Sequence, residues 1–470
     1  MNFYIYDIIF LVLFATFLFV FLHSGKKNLK REGLLILYKA AWGIKLINYV
    51  GKKFPRTFKV LSYISITIGY ILMATMLYLF GKIVYLYIAF PSLVQAIKVP
   101  PIMPLVPYID KVVPGLGLPN FYFTYWIIII AIIAITHEFA HGIFAAYNKI
   151  KVKTTGFGFF PFFLPIFLAA FVELDEKKMA KKNKFPQLAI LSAGTFANVL
   201  TAILFFGVLF IFFFFAFTPS GVEFDGYFYA PVTISAISSV NGIQLENSNF
   251  EEFVELLNET EFNEIEAEEK KYVGVKSFTN TKEYVNLYYD APAINVKLES
   301  VIFKINNVET NDINDLKNEL LKYSPGEKIT LNVLGDDGNN YDKDIVLGEN
   351  PENKNLPWIG IGFSEQERRG IMGKIISILS FKDPHVYYKP NFGAGLFIYN
   401  LLWWIVLISI SVALINMLPM GIFDGGRFFY LTVLGITKSE KTAKNLFAFS
   451  TYFILFLLFL LMFFWVISFI

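Results

Sequence analysis

The sequence predicts a multi-pass α-helical membrane protein of about six transmembrane helices, with one inserted water-soluble α/β domain. Apolar residues make up 55% of the 470 residues, phenylalanine alone occurs 53 times, and the mean hydropathy is +0.53. Such values are typical of chains that bury most of their length in lipid. One long segment between the fourth and fifth apolar runs is instead acidic and rich in asparagine, which indicates a domain in water.

Six apolar runs are long enough to cross about 30 Å of hydrocarbon. They lie near residues 3–22, 59–82, 121–148, 187–217, 395–418 and 446–469. The first run has the length of a signal peptide, but its positive charges follow it, which favours a retained anchor with the N-terminus outside. Apolar sequence continues from Gly81 to Ile97, so the second span is either one long tilted helix or continues into an interfacial or re-entrant segment.

The distribution of lysine and arginine predicts the orientation in the cell membrane. Eight lysines from Lys149 to Lys184 lie between the third and fourth spans, and residues 25–57 and 427–444 are also basic. Basic connections stay on the cytosolic side, so the N-terminus and the acidic insert are expected outside the cytoplasm. These spans and connections divide the chain into five segments: 1–57, anchor and cytosolic amphipathic segment; 58–120, second span and outer linker; 121–217, first part of the membrane core; 218–394, insert; 395–470, second part of the membrane core.

Two features of the composition limit the possible chemistry. The formal net charge is only +3, which gives no indication of a nucleic-acid partner. The chain has no cysteine, which excludes disulfides, thiolate metal ligands and a cysteine nucleophile. Any metal ion must therefore be held by histidine, aspartate or glutamate.

The third predicted span contains His137-Glu138-Phe139-Ala140-His141. On a helix the two histidines are four residues apart and share one face, so both imidazoles can bind one metal ion while Glu138 can reach a water beside it. Ionisable side chains are rare and usually functional at membrane depth. The alternative is a chance match in which each histidine is a hydrogen-bonded core residue.

A third ligand is expected from Asp424, in the segment that runs from Asn416 through Pro419 to Asp424-Gly425-Gly426. Proline must interrupt the fifth span, and the glycines permit turns that bring the carboxylate back toward the bundle. The alternative for Asp424 is a solvated residue at a helix terminus. Other candidate ligands are weaker: the acidic residues Glu173, Asp175 and Glu176 fit a solvated loop cluster better, and His23 and His385 fit surface positions better.

The clearest region of the insert is a strand at 300–307, a helix near 311–323, the turn Pro325-Gly326-Glu327 and a strand at 328–334, after Ala291-Pro292-Ala293. This order resembles a PDZ domain, which implies binding of an extended polypeptide. A fainter version at 237–242 and 249–257 suggests a second copy or the other half of one enlarged domain. The alternative is a generic α/β domain without a peptide groove.

Taken together, HExxH, the later NxxPxxxxDG pattern and the PDZ-like insert resemble the site-2 protease family of intramembrane metalloproteases. The resemblance implies one zinc ion per chain, bound by His137, His141 and Asp424, with Glu138 as general base. It also implies that Asn416 contacts the substrate backbone or supports the transition state. The segment from Ser192 to Asn198 is similar to the GPxxN motif of the family, with threonine in place of proline at 195, which implies a catalytic role for Asn198.

The segment from Lys153 to Phe171 is apolar but is broken by glycine and proline. Such a backbone is tolerated at membrane depth only where protein covers it or water fills a cavity beside it. It is either a re-entrant, strand-like loop that pairs with an unwound substrate, as the resemblance implies, or a hydrophobic interfacial loop.

The function expected from the resemblance is zinc-dependent cleavage of transmembrane segments in single-span membrane proteins, within regulated intramembrane proteolysis. The lipid bilayer is then the other partner, and the site lies toward the cytosolic side. Two alternatives are an HExxH membrane protease of another lineage, HtpX-like or CAAX-processing, and a non-catalytic metal-binding membrane protein or transporter.

Overall fold

A computed structural model describes residues 3–32, 35–91, 106–112, 118–159, 168–246, 249–258, 262–275, 283–335, 337–363 and 380–467. The chain divides into two compact units. The first contains Met1–Phe213 and Leu396–Ile470, and the second contains Phe214–Gly395. The second unit covers the insert that the sequence predicts.

Thirteen α-helices are present in the described residues. They are α1 (Phe3–Ser24), α2 (Ile44–Lys53), α3 (Pro55–Ala89), α4 (Ile109–Val112), α5 (Phe123–Tyr147), α6 (Glu176–Ala180), α7 (Lys184–Ala216), α8 (Phe250–Glu255), α9 (Pro292–Asn295), α10 (Ile313–Leu320), α11 (Gly395–Asn416), α12 (Asp424–Thr437) and α13 (Glu440–Ile467).

Six of these helices, α1, α3, α5, α7, α11 and α13, are long and apolar enough to cross a membrane. The prediction of six spans is therefore confirmed, with helix ends that differ from the expected ones by a few residues. The second span is one helix of 35 residues that ends at Ala89. The rest of the apolar stretch, residues 92–97, lies outside the described residues.

Helices α3, α5, α7 and α12 share one hydrophobic core, in which Met73, Phe144, Ile190 and Phe428 are buried. Small side chains allow the helices to approach closely, as in other membrane bundles. A Cβ atom on Gly69 of α3 would lie 3.1 Å from Cβ of Ser192 on α7. This core surrounds the section of α5 that carries HExxH.

The break after α11 is compact because glycines accept direct backbone contact. Helix α11 ends at Asn416 and α12 begins at Asp424, on either side of Pro419. A Cβ atom on Gly425 would lie 2.3 Å from the carbonyl carbon of Met417, and one on Gly426 would lie 2.3 Å from the Met420 oxygen. The glycines therefore serve close packing in this segment, and not the sharp turns expected from the sequence.

Helix α1 is fixed to α5 by a buried carboxylate. Asp7 is 3% exposed, and it accepts hydrogen bonds from the amides of Phe123 and Thr124, both at 2.8 Å. The hydroxyl groups of Thr124 and Tyr108 also donate to it, at 2.5 and 2.6 Å. The first amides of a helix have no partner within the helix, so Asp7 caps α5 from a different helix.

A four-stranded antiparallel sheet lies beside α5. Its order is β1 (Leu29–Glu32), β2 (Leu35–Ala40), β3 (Val152–Phe159) and β4 (Leu168–Leu174). The sequence segment 153–171 is thus strand-like, as expected, with residues 160–167 outside the described residues. Strand β3 is paired on both sides, and β4 forms an edge of the sheet.

Gly156 is required by the pairing of β2 with β3. A Cβ atom at this position would lie 1.9 Å from the carbonyl oxygen of Tyr38. Valine at Gly156 would disrupt the sheet itself.

The second unit consists of small sheets. Its strands are β5 (Phe217–Glu223), β6 (Gly226–Tyr227), β7 (Tyr229–Thr233), β8 (Ile237–Val240), β9 (Ile243–Gln244), β10 (Asn263–Ala267), β11 (Lys270–Gly274), β12 (Tyr284–Tyr289), β13 (Val301–Ile305), β14 (Val308–Glu309), β15 (Lys328–Leu334), β16 (Asn340–Val346), β17 (Gly348–Glu349), β18 (Pro357–Trp358), β19 (Ile361–Gly362) and β20 (Val386–Pro390). One sheet has the order β7-β12-β11-β10-β8-β9, and another has the order β16-β15-β13-β5-β20 with β14 on β13. Each has its own hydrophobic core.

The two larger sheets contain the same arrangement twice. The order hairpin, helix, strand, strand occurs as β8-β9-α8-β10-β11 and again as β13-β14-α10-β15-β16, with matching antiparallel pairs. Asn241 exchanges two hydrogen bonds with the backbone of Glu264, at 2.8 and 3.1 Å, and Asn306 makes the same pair with Thr330, at 2.6 and 2.9 Å. Of the two possibilities that the sequence left open, the structure therefore favours a second copy.

Candidate metal centre

Helices α5 and α12 bring two imidazoles and one carboxylate together. Nε2 of His137 and Nε2 of His141 are 3.1 Å apart, and Oδ2 of Asp424 lies 3.3 Å from the first and 3.1 Å from the second. His137 and His141 are each 8% exposed. The helix period places both histidines on one face, and the break at Pro419 places Asp424 in the first turn of α12.

The geometry of this cluster, which we call the metal cluster, fits a tetrahedral zinc ion. Metal–nitrogen and metal–oxygen bonds of about 2.0–2.2 Å put neighbouring ligand atoms about 3.3 Å apart. The three observed distances lie between 3.1 and 3.3 Å. Among the described residues, no other group of three or more possible ligand residues is brought this close together.

Space for an ion is left by a glycine on α7. A Cβ atom on Gly194 would lie 2.4 Å from Nε2 of His141 and 2.5 Å from Nε2 of His137. The metal cluster therefore tolerates no side chain at this position. In the sequence, Gly194 is recognisable only as part of the segment from Ser192 to Asn198, and its role beside the imidazoles is not evident there.

The same face of α7 orients both imidazoles. Nδ1 of His141 lies 2.6 Å from the carbonyl oxygen of Ile190, to which it donates, so Nε2 is left free for a metal. Nδ1 of His137 lies 3.0 Å from the amide nitrogen Nδ2 of Asn198, a residue that is fully buried. Ile190, Gly194 and Asn198 follow one another at intervals of four, and this spacing is the sequence signal that could have identified the face.

The direction of the Asn198 amide follows from metal binding. A histidine that binds a metal through Nε2 carries its proton on Nδ1 and needs an acceptor there. Oδ1 of Asn198 is buried and has no hydrogen-bond partner in the described region of the chain. An amide with Oδ1 facing Nδ1 of His137 satisfies both atoms, so Asn198 is placed to position a ligand.

The Glu138 side chain lies between its own helix, α5, and the four-stranded sheet. Its Oε2 accepts a hydrogen bond of 2.9 Å from the amide of Val172 in β4. That amide belongs to the edge of β4 that faces away from β3. This contact, which sequence reasoning missed, joins the glutamate of HExxH to the outer edge of β4, where the described residues place no further strand.

The weaker ligand candidates have other partners. Glu173 accepts from Thr154 at 2.8 Å and pairs with Lys39 at 3.2 Å, and both contacts lower the pKa of its carboxyl group. Asp175 caps α6, and Glu176 pairs with Arg427 at 3.2 Å. His23 stacks on Phe19, and His385 lies 3.6 Å from Asp225. None of these five candidates belongs to the metal cluster.

Asn416 is the last residue of α11 and is half-buried. The structure gives its side chain no hydrogen bond within the residues that it describes. Its amide is therefore free to bind a substrate, and its role stays a prediction. Thr195 stands where the family motif has proline, and α7 is continuous through this position. The Thr195 hydroxyl donates a hydrogen bond of 2.9 Å to the Ser192 carbonyl.

A comparison with protein-family models gives a match to peptidase family M50 over residues 125–461. The matched region is most of the chain and contains the metal cluster, Glu138 and the second unit. The chain belongs to peptidase family M50, the site-2 protease family. It is a metallopeptidase, and the resemblance seen in the sequence is confirmed.

Membership of family M50 decides between the lineages that the sequence left open. M50 enzymes are zinc metalloproteases that act in membranes, so the HtpX-like and CAAX-processing alternatives are set aside. Helices α1 to α3 and strands β1 and β2 precede the matched residues. This M50 protein therefore builds half of the sheet beside Glu138 from sequence outside the match.

Replacing Gly194 with alanine is expected to remove the metal. The new Cβ atom would occupy the space beside both Nε2 atoms, so zinc content should fall at least about tenfold. Gly207→Ala on the same helix is the matched control, since a Cβ atom there meets nothing within 4 Å. Metal analysis of the purified proteins gives the result, and normal zinc in Gly194→Ala would contradict the assignment.

Substitutions at Asn198 separate its two possible hydrogen-bonding roles. Asn198→Asp keeps an acceptor for Nδ1 of His137 and should retain zinc, whereas Asn198→Ala should weaken zinc binding by about 10–100-fold. Competition with a chelator of known affinity measures the difference. Loss of zinc from both variants to the same extent would show that the amide does not act as an acceptor.

Proposed function

We propose that this M50 protein is a zinc-dependent endopeptidase that cleaves transmembrane segments of single-span proteins in regulated intramembrane proteolysis. The observation that carries the proposal is the contact between Glu138 and the open edge of β4, next to the metal cluster. The edge of β4, the Glu138 carboxylate and the three ligands of the metal cluster would then act together on one peptide bond.

His137, His141 and Asp424 would hold the zinc ion. Zinc supplies a Lewis acid that polarises the scissile carbonyl and lowers the pKa of water toward about 7. Oε2 of Glu138 is engaged by the Val172 amide, so Oε1 is the atom that accepts a proton from water and passes it to the leaving amine. Asn198 holds His137 in place, and Asn416 offers an amide to the substrate backbone or to the oxyanion.

The edge of β4 would hold the substrate in an extended form. The amides of a helix are hydrogen-bonded internally, so a helical segment must unwind before attack. Val172 and Thr155 are opposite each other, and Ala170 and Phe157 form the next pair of the same kind. Because strands alternate, the amide of Ala170 points outward like that of Val172 and can bind an added strand.

The second unit is proposed to be a pair of PDZ-like modules outside the cytoplasm that screen or position polypeptides. Its duplicated strand-helix-strand arrangement and the turn at Pro325-Gly326 support this interpretation. Lysines from Lys149 to Lys184 support a cytosolic location for the connection after α5, and hence for the active-site end of that helix. The chain is a multi-pass membrane protein, and the cell membrane is its proposed location.

Two conservative substitutions separate catalysis from metal binding. Glu138→Gln removes the proton acceptor but no ligand, so zinc should remain while cleavage falls by a factor of about 100–10,000 or more. Asp424→Asn removes a charged ligand, so zinc retention should fall. Cleavage of a single-span substrate and metal analysis on the same preparations give both results. Full activity in either variant would overturn the assigned roles.

Proline at Ala170 tests the open strand edge. Ala170→Pro removes one outward amide but no bond to β3, so cleavage should fall at least about tenfold while zinc content and melting temperature stay unchanged. Ala170→Gly keeps the amide and serves as the control. If Ala170→Pro cleaves its substrate at the normal rate, pairing on this edge does not occur.

A further inference from the structure

Helix α2 has three distinct faces. Ile47 and Gly51 are buried against α5: a Cβ atom on Gly142 would lie 3.0 Å from the Ile47 side chain, and one on Gly51 would lie 2.7 Å from the Ile143 oxygen. Leu46 and Tyr49 point elsewhere and are 59% and 56% exposed. At about 100° per residue, the third face carries Asn48 and Lys52, roughly 100° or more from each of the other two.

The third face borders a cleft of about 860 Å³ that is lined by four lysines. Lys52 comes from α2, Lys149 and Lys151 follow α5, and Lys182 follows α6. No acidic side chain lines the cleft. Within the described residues, none of the four ammonium groups forms an ion pair, so their charge is not balanced by the protein there.

These lysines are not needed to cap α5. Lys149 ends the helix with a positive φ of 62°, and its amide bonds to the Ala146 oxygen at 3.1 Å. The amide of Ile150 bonds to the Ala145 oxygen at 2.8 Å. The backbone thus satisfies the last carbonyl groups of α5 by itself, as in a Schellman-type end, and the lysine side chains remain available.

We propose that α2 lies in the membrane interface and that the lysine-lined cleft binds the phosphate of an anionic lipid headgroup. A short helix with an apolar face in the lipid and a basic face toward water is typical of interfacial helices. Leu46 and Tyr49 would enter the acyl boundary, which holds Lys52 and the cleft at headgroup height. Four uncompensated lysines give the cleft a positive charge, opposite in sign to that of an anionic phospholipid.

The apolar face decides between a lipid and a soluble phosphate compound. Helix α2 borders the cleft and also carries the exposed apolar pair, so an occupant of the cleft would lie at the bilayer surface. The inference rests on insertion in a membrane and not on peptidase activity. If lipid binding is not found, the proposed peptidase function still stands. The activity of the Glu138→Gln variant, in turn, has no bearing on lipid binding.

The first experiment uses the full chain in nanodiscs that contain equal amounts of phosphatidylglycerol and phosphatidylcholine. Native mass spectrometry is expected to find phosphatidylglycerol retained at least about tenfold over phosphatidylcholine. Replacing Lys52, Lys149, Lys151 and Lys182 with glutamine should abolish that preference. The matched control replaces the exposed residues Lys45, Lys59, Lys177 and Lys181, which do not line the cleft, and should retain it.

Three results would overturn the proposal. If both quadruple variants lose the lipid preference equally, the preference arises from the positive potential of the whole surface and not from a specific site. Displacement by millimolar inorganic phosphate, without preference between the lipids, would assign the cleft to soluble anions. An unchanged preference in the cleft variant would exclude the cleft altogether. The double variant Lys52→Gln/Lys182→Gln, which should show an intermediate preference, covers the case in which the quadruple variant fails to fold.

The second experiment uses the absence of cysteine from the chain. Leu46→Cys and Lys52→Cys each provide one site for a spin label without a background label. In nanodiscs, a label at Leu46→Cys should be accessible to oxygen and shielded from a water-soluble nickel reagent, and a label at Lys52→Cys should show the opposite. Equal exposure of both labels to the nickel reagent would contradict an interfacial α2.

Discussion

The structure depends on three ligand atoms from two helices that must lie within about 3.3 Å of one another inside an apolar bundle. Two imidazoles and a carboxylate at this distance can hold a shared cation, which would satisfy them where water is scarce and unpaired polar groups are costly. The approach is possible only where side chains are absent. Gly194 leaves the space beside the imidazoles, and Gly425 and Gly426 let the Asp424 segment fold onto the end of α11.

The second requirement is a proton acceptor fixed at the boundary between helix and sheet. Glu138 projects from the same helix as the two histidine ligands but meets β4 through the Val172 amide. That strand is in place because β3 pairs with it on one side and with β2 on the other. Strand β2 comes from residues 35–40, outside the family match, so the N-terminal region of this M50 protein belongs structurally to its catalytic core.

Sequence patterns predicted the elements that depend on neighbouring residues. They missed the contacts between segments that are far apart in the chain. The spans, the helical spacing of His137 and His141 and the strand at 328–334 all follow from periodicity within one segment. Strands β1 and β2 were not predicted, because β2 is defined by pairing with residues more than 100 positions away. The packing role of Gly194 was likewise not predicted, because it depends on the helix opposite, α5, whose histidines lie beside it. Asp424 was proposed from the helix break at Pro419 and the glycines beside it, and the family motif then linked it to HExxH.

Asp7 fixes helix α1, which lies before the residues of the family match, because buried polar groups must be paired. A carboxylate in an apolar span is unfavourable unless donors surround it, and the free amides at a helix start are unfavourable where lipid replaces water. Asp7 and the first turn of α5 satisfy each other through the amides of Phe123 and Thr124. Without Asp7, the amides of Phe123 and Thr124 would lose the hydrogen bonds that it accepts from them. Helix α1 is therefore bound to the start of the helix that carries His137, and the position of the metal cluster depends on both ends of α5.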